Sequence, residues 1–424
     1  MRPACDYWCF MKIAYFSPAW PAAQAQNGIA TYVDIMTRAL KSAGHECVVI
    51  TPKLIGEEGE RGVFQVKPPH RSFGGSILKA ARHRLGGAQI FDNKTMARGI
   101  AEAVERASQH GPIDIVETEE SFGYSFHIQK LLDIPVAIRL HGPHFLVHQG
   151  KTEERNRKRI EAEGHAIRAS SAVSCPSRSV LDKVASYYAL AETFGTAIPN
   201  PVVIPPEDSG WRLDACDPNL LLFVGRFDAI KGADIMLAAF ARLAARYHDL
   251  KLIMIGKDNG IEQPDGSIQK FQEYARAHLD EDVLARIEFL GPVSRARADE
   301  LRRQAFMCIS ASRFECFPYA VTEALALGCP VVASATDGLT EYLRADEELL
   351  LTKLEDPAAL GAHISSLIER PERAQQLGAA GRRAAIAQLS PEKVAMKSLN
   401  FYEEIIQGRV GSPAAGAKKE LGDE

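Results

Sequence analysis

No apolar run in these 424 residues approaches the roughly 18 that a membrane-spanning helix requires. The first ten residues also lack the apolar stretch of a secretory signal. The expectation is a cytoplasmic protein, in contact with the inner face of a membrane only at its periphery. Paired cysteine spacing is missing as well. Eight cysteines are scattered, Cys5 and Cys9 lie four apart and no second pair answers them, so reduced thiols rather than a zinc site are expected. There is no excess of positive charge, since the net charge is −4, and no general affinity for nucleic acid is indicated. Neither the spaced glycines of a dinucleotide fold nor a phosphate-loop Gly-Lys-Ser/Thr follows either half's first strand. That argues against a dehydrogenase and against an NTPase.

What is present is ordinary globular composition, 46% hydrophobic and 25% charged, on a chain too long for one core. The first convincing strand begins at Lys12 and carries the buried run Ile13-Ala14-Tyr15-Phe16. A turn-rich loop follows, then a helical stripe at Ile29, Val33, Met36 and Leu40, a stop at Gly44, and the strand Cys47-Val48-Val49-Ile50. Apolar runs at 113–116, 136–140 and 172–174 continue the alternation expected of a parallel sheet. A hinge-like stretch around Ile198-Pro199-Asn200-Pro201-Val202 precedes a restart at Leu220-Leu221-Leu222-Phe223-Val224, with further strands at 252–255, 287–290, 307–309 and 331–333. The reading is α/β: two Rossmann-like, doubly wound parallel-sheet domains, which would face each other across a cleft. Residues 11–203, together with a returning helix at 391–408, form the first domain, and 204–390 the second. Residues 1–10 and 409–424 are expected to lack order.

Chemistry concentrates in the loops. The strand at 220–224 runs into Gly225-Arg226-Phe227-Asp228-Ala229-Ile230-Lys231-Gly232, which places two cations at a helix start. Lysine there opposes the helix dipole, so its place makes better sense beside a bound anion, although a solvated surface lysine is the plainer alternative. Arg226, at the carboxyl edge of the sheet, is suited to a diphosphate. Glu315 and Glu323 flank the start of a helix that ends at Gly328. Asn27-Gly28 opens the helix of the first half, where a glycine lets a ligand approach backbone amides, although it also reads as a simple cap. His141 follows the strand at 136–140, with Gly142 clearing space beside it. A surface histidine is the alternative there.

Read together, Gly28, Arg139-Leu140-His141-Gly142, Ile198-Pro199-Asn200-Pro201-Val202, Gly225-Arg226 with Lys231-Gly232, and the glutamates of 315–323 resemble family 4 of the retaining glycosyltransferases. The resemblance covers about residues 11–408. It implies the GT-B fold and transfer of a sugar from a nucleotide-sugar donor to a hydroxyl, with retained anomeric configuration and without metal or other cofactor. Carried over residue by residue, Arg226 and Lys231 would neutralise the donor diphosphate. Glu315 would accept hydrogen bonds from sugar hydroxyls, and Glu323 would hold the ribose. Gly28 would lend its amide to the distal phosphate, and His141 would contact the sugar. The amides of Tyr319 and Ala320 are further donor contacts. Catalysis is thereby expected of His141, Arg226, Lys231 and Glu315. Pro318 departs from the glycine common after Phe317 and offers no amide, although Phe-Pro-Tyr variants are familiar in the family. Asp337-Gly338-Leu339-Thr340-Glu341 resembles a loop that approaches the donor, with an ordinary turn and cap as the alternative.

The acceptor is expected to be a glycan, a lipid-linked compound or a small molecule, as in polysaccharide biosynthesis. Residues 67–98 carry seven Lys or Arg residues against Asp92 alone, and could dock on an anionic membrane, grip a phosphorylated acceptor or simply be solvated. The mixed-charge segment 151–168 reads as an exposed helix. Two other readings stand beside transfer, a sugar-nucleotide 2-epimerase on the same fold and a catalytically silent scaffold. The intact set of Arg226, Lys231, Glu315 and Glu323 counts against silence.

Overall fold

The structure, a computed structural model, describes residues 10–25, 27–55, 62–67, 93–147 and 153–409. Residues 1–9, the terminal 410–424 and 68–92 of the basic stretch lie outside the described residues. The chain divides into two compact units. One takes the residues up to Cys175, Leu181–Ile198 and those from Ala395 on, and the other takes Pro176–Val180 and Pro199–Val394.

The first unit is built on seven parallel strands, β1 (Lys12–Phe16), β2 (Glu46–Thr51), β3 (Val63–Gln65), β4 (Ile115–Glu119), β5 (Val136–Arg139), β6 (Val173–Cys175) and β7 (Thr196–Ala197). They lie in the order β3-β2-β1-β4-β5-β6-β7. Every residue of β1 and β4 is buried, as the central strands of a sheet covered on both faces require. The direction of winding reverses between β1 and β4, so the loops after these two strands diverge and leave a crevice at their carboxyl ends. The helix Gly28–Ser42 follows β1, and the side chain of Asn27 caps it by accepting from the Ile29 amide at 2.8 Å. Its buried face is Ala30, Tyr32, Val33, Ile35, Met36, Thr37 and Leu40.

The second unit repeats the plan with β8 (Asp217–Val224), β9 (Lys251–Ile255), β12 (Ile287–Gly291), β13 (Ala305–Ser310), β14 (Val331–Ser334) and β15 (Leu350–Thr352), plus a two-stranded antiparallel hairpin of β10 (Ile261–Glu262) and β11 (Ile268–Gln269). The main sheet is ordered β12-β9-β8-β13-β14-β15, with its switch point between β8 and β13. The helix Tyr319–Leu327 buries Val321, Thr322, Ala324, Leu325, Ala326 and Leu327, and Gly328 stops it in the left-handed region at φ +80°. Among the described residues no helix is long and apolar enough to cross a membrane.

Two local expectations change. The run at 113–116 is displaced, because the strand continues through Glu117, Thr118 and Glu119, polar residues that are nonetheless buried. The helix at Glu154–Ala169 is not wholly exposed, since Glu163, Gly164, Ala166 and Ile167 are buried.

Candidate active site

In the second unit the two loops that flank the switch point carry the charged residues. After β8 the backbone turns through Gly225 and Arg226, and Asp228 organises the turn. One Asp228 oxygen accepts from the Lys231 amide at 2.9 Å, the other from Arg226 Nε at 2.6 Å and Asn259 Nδ2 at 3.2 Å. Gly232 then opens the helix Ala233–Ala244 at φ +68°, where a Cβ would stand 1.9 Å from the Ala311 carbonyl oxygen. Only glycine lets this loop come so close to the segment that leaves β13.

That closeness joins the loops chemically. Lys231 Nζ donates to Glu315 Oε1 at 2.5 Å, and the same oxygen accepts from the Ser312 hydroxyl at 2.8 Å. Arg313 holds both loops from beneath. Its amide donates to the Ile230 carbonyl at 2.8 Å, while its guanidinium bridges Asp234 at 2.7 Å and Glu355 at 2.6 Å. The hydrogen bonds it donates to these carboxylates, to Asp234 first, hold the Arg313 guanidinium well above its ordinary value.

Pro318 caps the helix Tyr319–Leu327 with φ −82°. The Val321 and Thr322 amides are taken by the Pro318 carbonyl at 3.2 and 3.1 Å, and the amides of Tyr319 and Ala320 stand at the N-terminal end, where the helix dipole favours an anion. Glu323, in the second turn, meets neither Arg226 nor Lys231. Its Oε2 accepts from Arg302 Nη2 at 2.6 Å, and its Oε1 lies 3.7 Å from Arg295. Nearby, Glu341 accepts from the Ser177 hydroxyl at 2.8 Å and from the amides of Arg178 and Ser179 at 2.7 and 2.8 Å, all residues of this unit. Burial raises its carboxyl, but these donors outweigh burial and hold it below the usual value. The 337–341 loop therefore does capping work.

In the first unit Gly28 is exposed in the first turn of its helix, next to the Asn27 cap. His141 follows β5, its ring edge-on to Tyr32 with centroids 5.1 Å apart. Burial, with the neighbouring Arg139 charge, pushes its imidazole well below the usual range, so it is neutral at physiological pH. The amides of His141 and Gly142 donate to the two oxygens of Glu120 at 2.9 and 2.7 Å. Glu120 lies beside Glu119 and Glu163, all buried, and burial with those two charges pushes it up to about 8. Arg159 serves the group, donating to Glu163 at 3.0 Å and stacking over Phe122 at 4.3 Å.

Beneath the same loop, buried Arg139 donates to the Ile198 carbonyl at 2.7 Å and packs over Tyr32 at 4.9 Å. Tyr402 donates to Glu117 at 2.7 Å and shares a 2.8 Å hydrogen bond with Tyr15. Burial raises the Glu117 carboxyl, partly offset by Arg139 and Tyr402.

Of the residues expected from the sequence, Lys231 and Glu315 are brought into contact, and Arg226 is tied to their loop through Asp228. Tyr319, Ala320 and Glu323 lie on the adjoining helix, while Gly28 and His141 belong to the other unit. Sequence reasoning missed Asp228, Ser312, Arg313, Arg302 and Glu120. Asp228 and Arg313 sit inside the stretches already singled out, so position alone could have flagged them. Arg302 and Glu120 carried no such signal, because their partners lie 21 residues away in the chain.

Known proteins share this architecture. The profile described as "Glycosyltransferase Family 4" matches residues 26–204, and "Glycosyl transferases group 1" matches 212–384. Glycogen synthase of Mycobacterium tuberculosis is 23% identical over 405 residues, 92% of this chain and 94% of its own length. D-inositol 3-phosphate glycosyltransferase 1 of Catenulispora acidiphila is 30% identical over 198 residues, 46% of this chain and 47% of its own. Among solved structures, sucrose-phosphate synthase from Thermosynechococcus elongatus superposes with a TM-score of 0.67 at 19% identity, covering 94% of this chain and all 100% of that one. HepE from Anabaena, in complex with UDP and glucose, gives 0.62 at 16% identity, with 93% and 99% covered. These likenesses in shape establish the GT-B fold. With the two family profiles dividing between its two units, the chain belongs to glycosyltransferase family 4 and is a glycosyltransferase.

Proposed function

We propose that this enzyme is a retaining, metal-independent hexosyltransferase. It would move a sugar from a nucleoside diphosphate sugar to a hydroxyl of a glycan, lipid-linked or small-molecule acceptor. The observation that carries this reading is the 2.5 Å contact of Lys231 with Glu315 at the switch point of the second sheet, with Arg226 on the same loop. Each cation has a carboxylate partner in this structure, and a donor diphosphate would compete for both. Two fixed cations at a helix start supply the charge stabilisation that a divalent ion otherwise gives a departing diphosphate. Glu315, released from Lys231, keeps the Ser312 hydroxyl and offers its other lone pairs to sugar hydroxyls. Glu323 would take the ribose, and the Tyr319 and Ala320 amides would take phosphate or sugar oxygens.

From the first unit, the amide of Gly28 would meet the distal phosphate, and the neutral imidazole of His141 would meet the sugar. The bond from the anomeric carbon to the diphosphate oxygen breaks as the acceptor oxygen bonds on the same face. The acceptor's proton passes to the departing diphosphate. Positioning and charge stabilisation carry the rate, with no residue assigned as a covalent nucleophile. HepE, solved with UDP and glucose, supports a nucleotide-sugar donor, and the glycogen synthase and inositol-phosphate relatives support sugar-like hydroxyl acceptors.

The test is to incubate the purified chain, with EDTA present, with glucose, mannose and N-acetylglucosamine donors of UDP, ADP and GDP and a panel of hydroxyl acceptors. The product's anomeric configuration is read by NMR. Transfer with retention is expected. Inversion would overturn the mechanism, a requirement for metal would overturn the role given to the two cations, and consumption of no donor would overturn the function.

A further inference from the structure

Arg302 is 1% exposed, in the last turn of the helix Arg295–Gln304. A guanidinium so placed sacrifices its hydration, and an apolar side chain of similar volume would pack there without that cost. Burial opposes its charge, yet Glu323, Cys308 and Asp299 more than offset burial and keep it protonated. Its planar fork is divided between two carboxylates: Nη1 donates to Asp299 at 2.7 Å, and Nη2 to Glu323 Oε2 at 2.6 Å. Nε has no hydrogen-bond partner among the described residues. The guanidinium is thus spent on fixing two acids.

The consequence falls on Glu323. Its Oε2 is anchored by the buried Arg302, while Oε1, among the described residues, meets the half-exposed Arg295 at 3.7 Å, beyond hydrogen-bonding distance. A glutamate on a helix surface ordinarily samples several rotamers and loses that freedom on binding. Held by Arg302, Glu323 loses it on folding, and Oε1 keeps lone pairs with which to accept from hydroxyls.

We infer that Arg302 is a positioning residue that preorganises Glu323 for the ribose diol of the donor nucleotide, and so sets the enzyme's preference for ribonucleotides over deoxyribonucleotides. This rests on the donor reading above, and binding measurements on the full chain separate the two. UDP, ADP and GDP, each with its 2′,3′-dideoxy counterpart, are titrated calorimetrically into the wild type and into Arg302→Lys, Asp299→Ala, Glu323→Gln and the Arg302→Lys/Glu323→Gln pair. For the diphosphate that binds, the wild type should favour the ribose form by about tenfold or more. Arg302→Lys keeps the charge but loses the fork, and should reduce that ratio to about threefold or less. Glu323→Gln should do the same, and the double variant should lose nothing further. Asp299→Ala, which removes the acceptor of Nη1 on the fork's partly exposed side, should lower the ratio in the same direction and serves if Arg302→Lys fails to fold. A ribose preference that survives in Arg302→Lys and Asp299→Ala, while Glu323→Gln abolishes it, would overturn this role and leave the donor site standing. A wild type that binds none of the three diphosphates would overturn the donor reading, and this inference with it.

Discussion

Lys231 and Glu315 are both part-buried and joined at 2.5 Å, so removing either leaves the other's charge without its ion-pair partner. Lys231→Ala is expected to lower kcat/KM by about 10²–10³-fold, the range for loss of one preorganised charge at a developing anion. The fold should survive, because Arg313 holds the loop independently through Asp234 and Ile230. Parallel steady-state kinetics and thermal unfolding check both halves of that statement. Glu120 invites a pH experiment. Burial, then Glu119 and Glu163, raise its carboxyl from 4.5 to about 8, while Arg159 pairs with Glu163. A carboxyl that binds its proton more tightly when folded contributes stability that is complete below its ordinary value and is lost as pH rises through about 8. Unfolding free energy should therefore fall between pH 6 and pH 9, by on the order of 1–3 kcal/mol. Glu120→Gln, neutral throughout, should flatten that slope in a urea series at the two pH values.

At the scale of elements, Gly232 decides how closely the loop after β8 meets the segment after β13. Gly232→Ala would force a Cβ against the Ala311 carbonyl at a positive φ, and a loss of about 2–4 kcal/mol is expected, read as a shifted urea midpoint. Pro318→Gly should cost about 0.5–1 kcal/mol, chiefly by freeing the unfolded chain, while restoring an amide at the helix start. Elements were legible where their signal is local. The buried runs of β1, β2, β5, β8, β9 and β13 stand out as apolar strings, and Gly328 marks the end of its helix. Short edge strands such as β3 and β7 have too few residues to show a pattern, and the hairpin β10–β11 pairs only two residues a side. The shift of β4 has another cause. Glu117, Thr118 and Glu119 look like loop residues, and only tertiary partners such as Tyr402 make them strand. For the same reason Lys231 and Glu315 are legible from their positions in the chain, whereas the ion pairs fixing Glu323 exist only in the folded structure.

At the scale of the whole molecule, the last helix, Pro391–Ile406, ties the end of the chain to the sheet of the first unit through Tyr402, 285 residues from Glu117 in sequence. Tyr402→Phe removes the donor to a buried carboxyl, and a loss of about 1–3 kcal/mol in the first unit is expected. Hydrogen exchange that reports β1 and β4 separately from the second sheet would show it. The repetition of one doubly wound plan in two units places charged loops at a switch point, and the second unit's loops are proposed to hold a nucleotide-sugar donor. The most direct measurement is release of nucleoside diphosphate from a panel of nucleotide sugars by the wild type and by Glu315→Ala at matched thermal stability. Release from at least one donor is expected, reduced by about 10²-fold or more in the variant. Release from none, or release undiminished by loss of Glu315, would contradict that proposal.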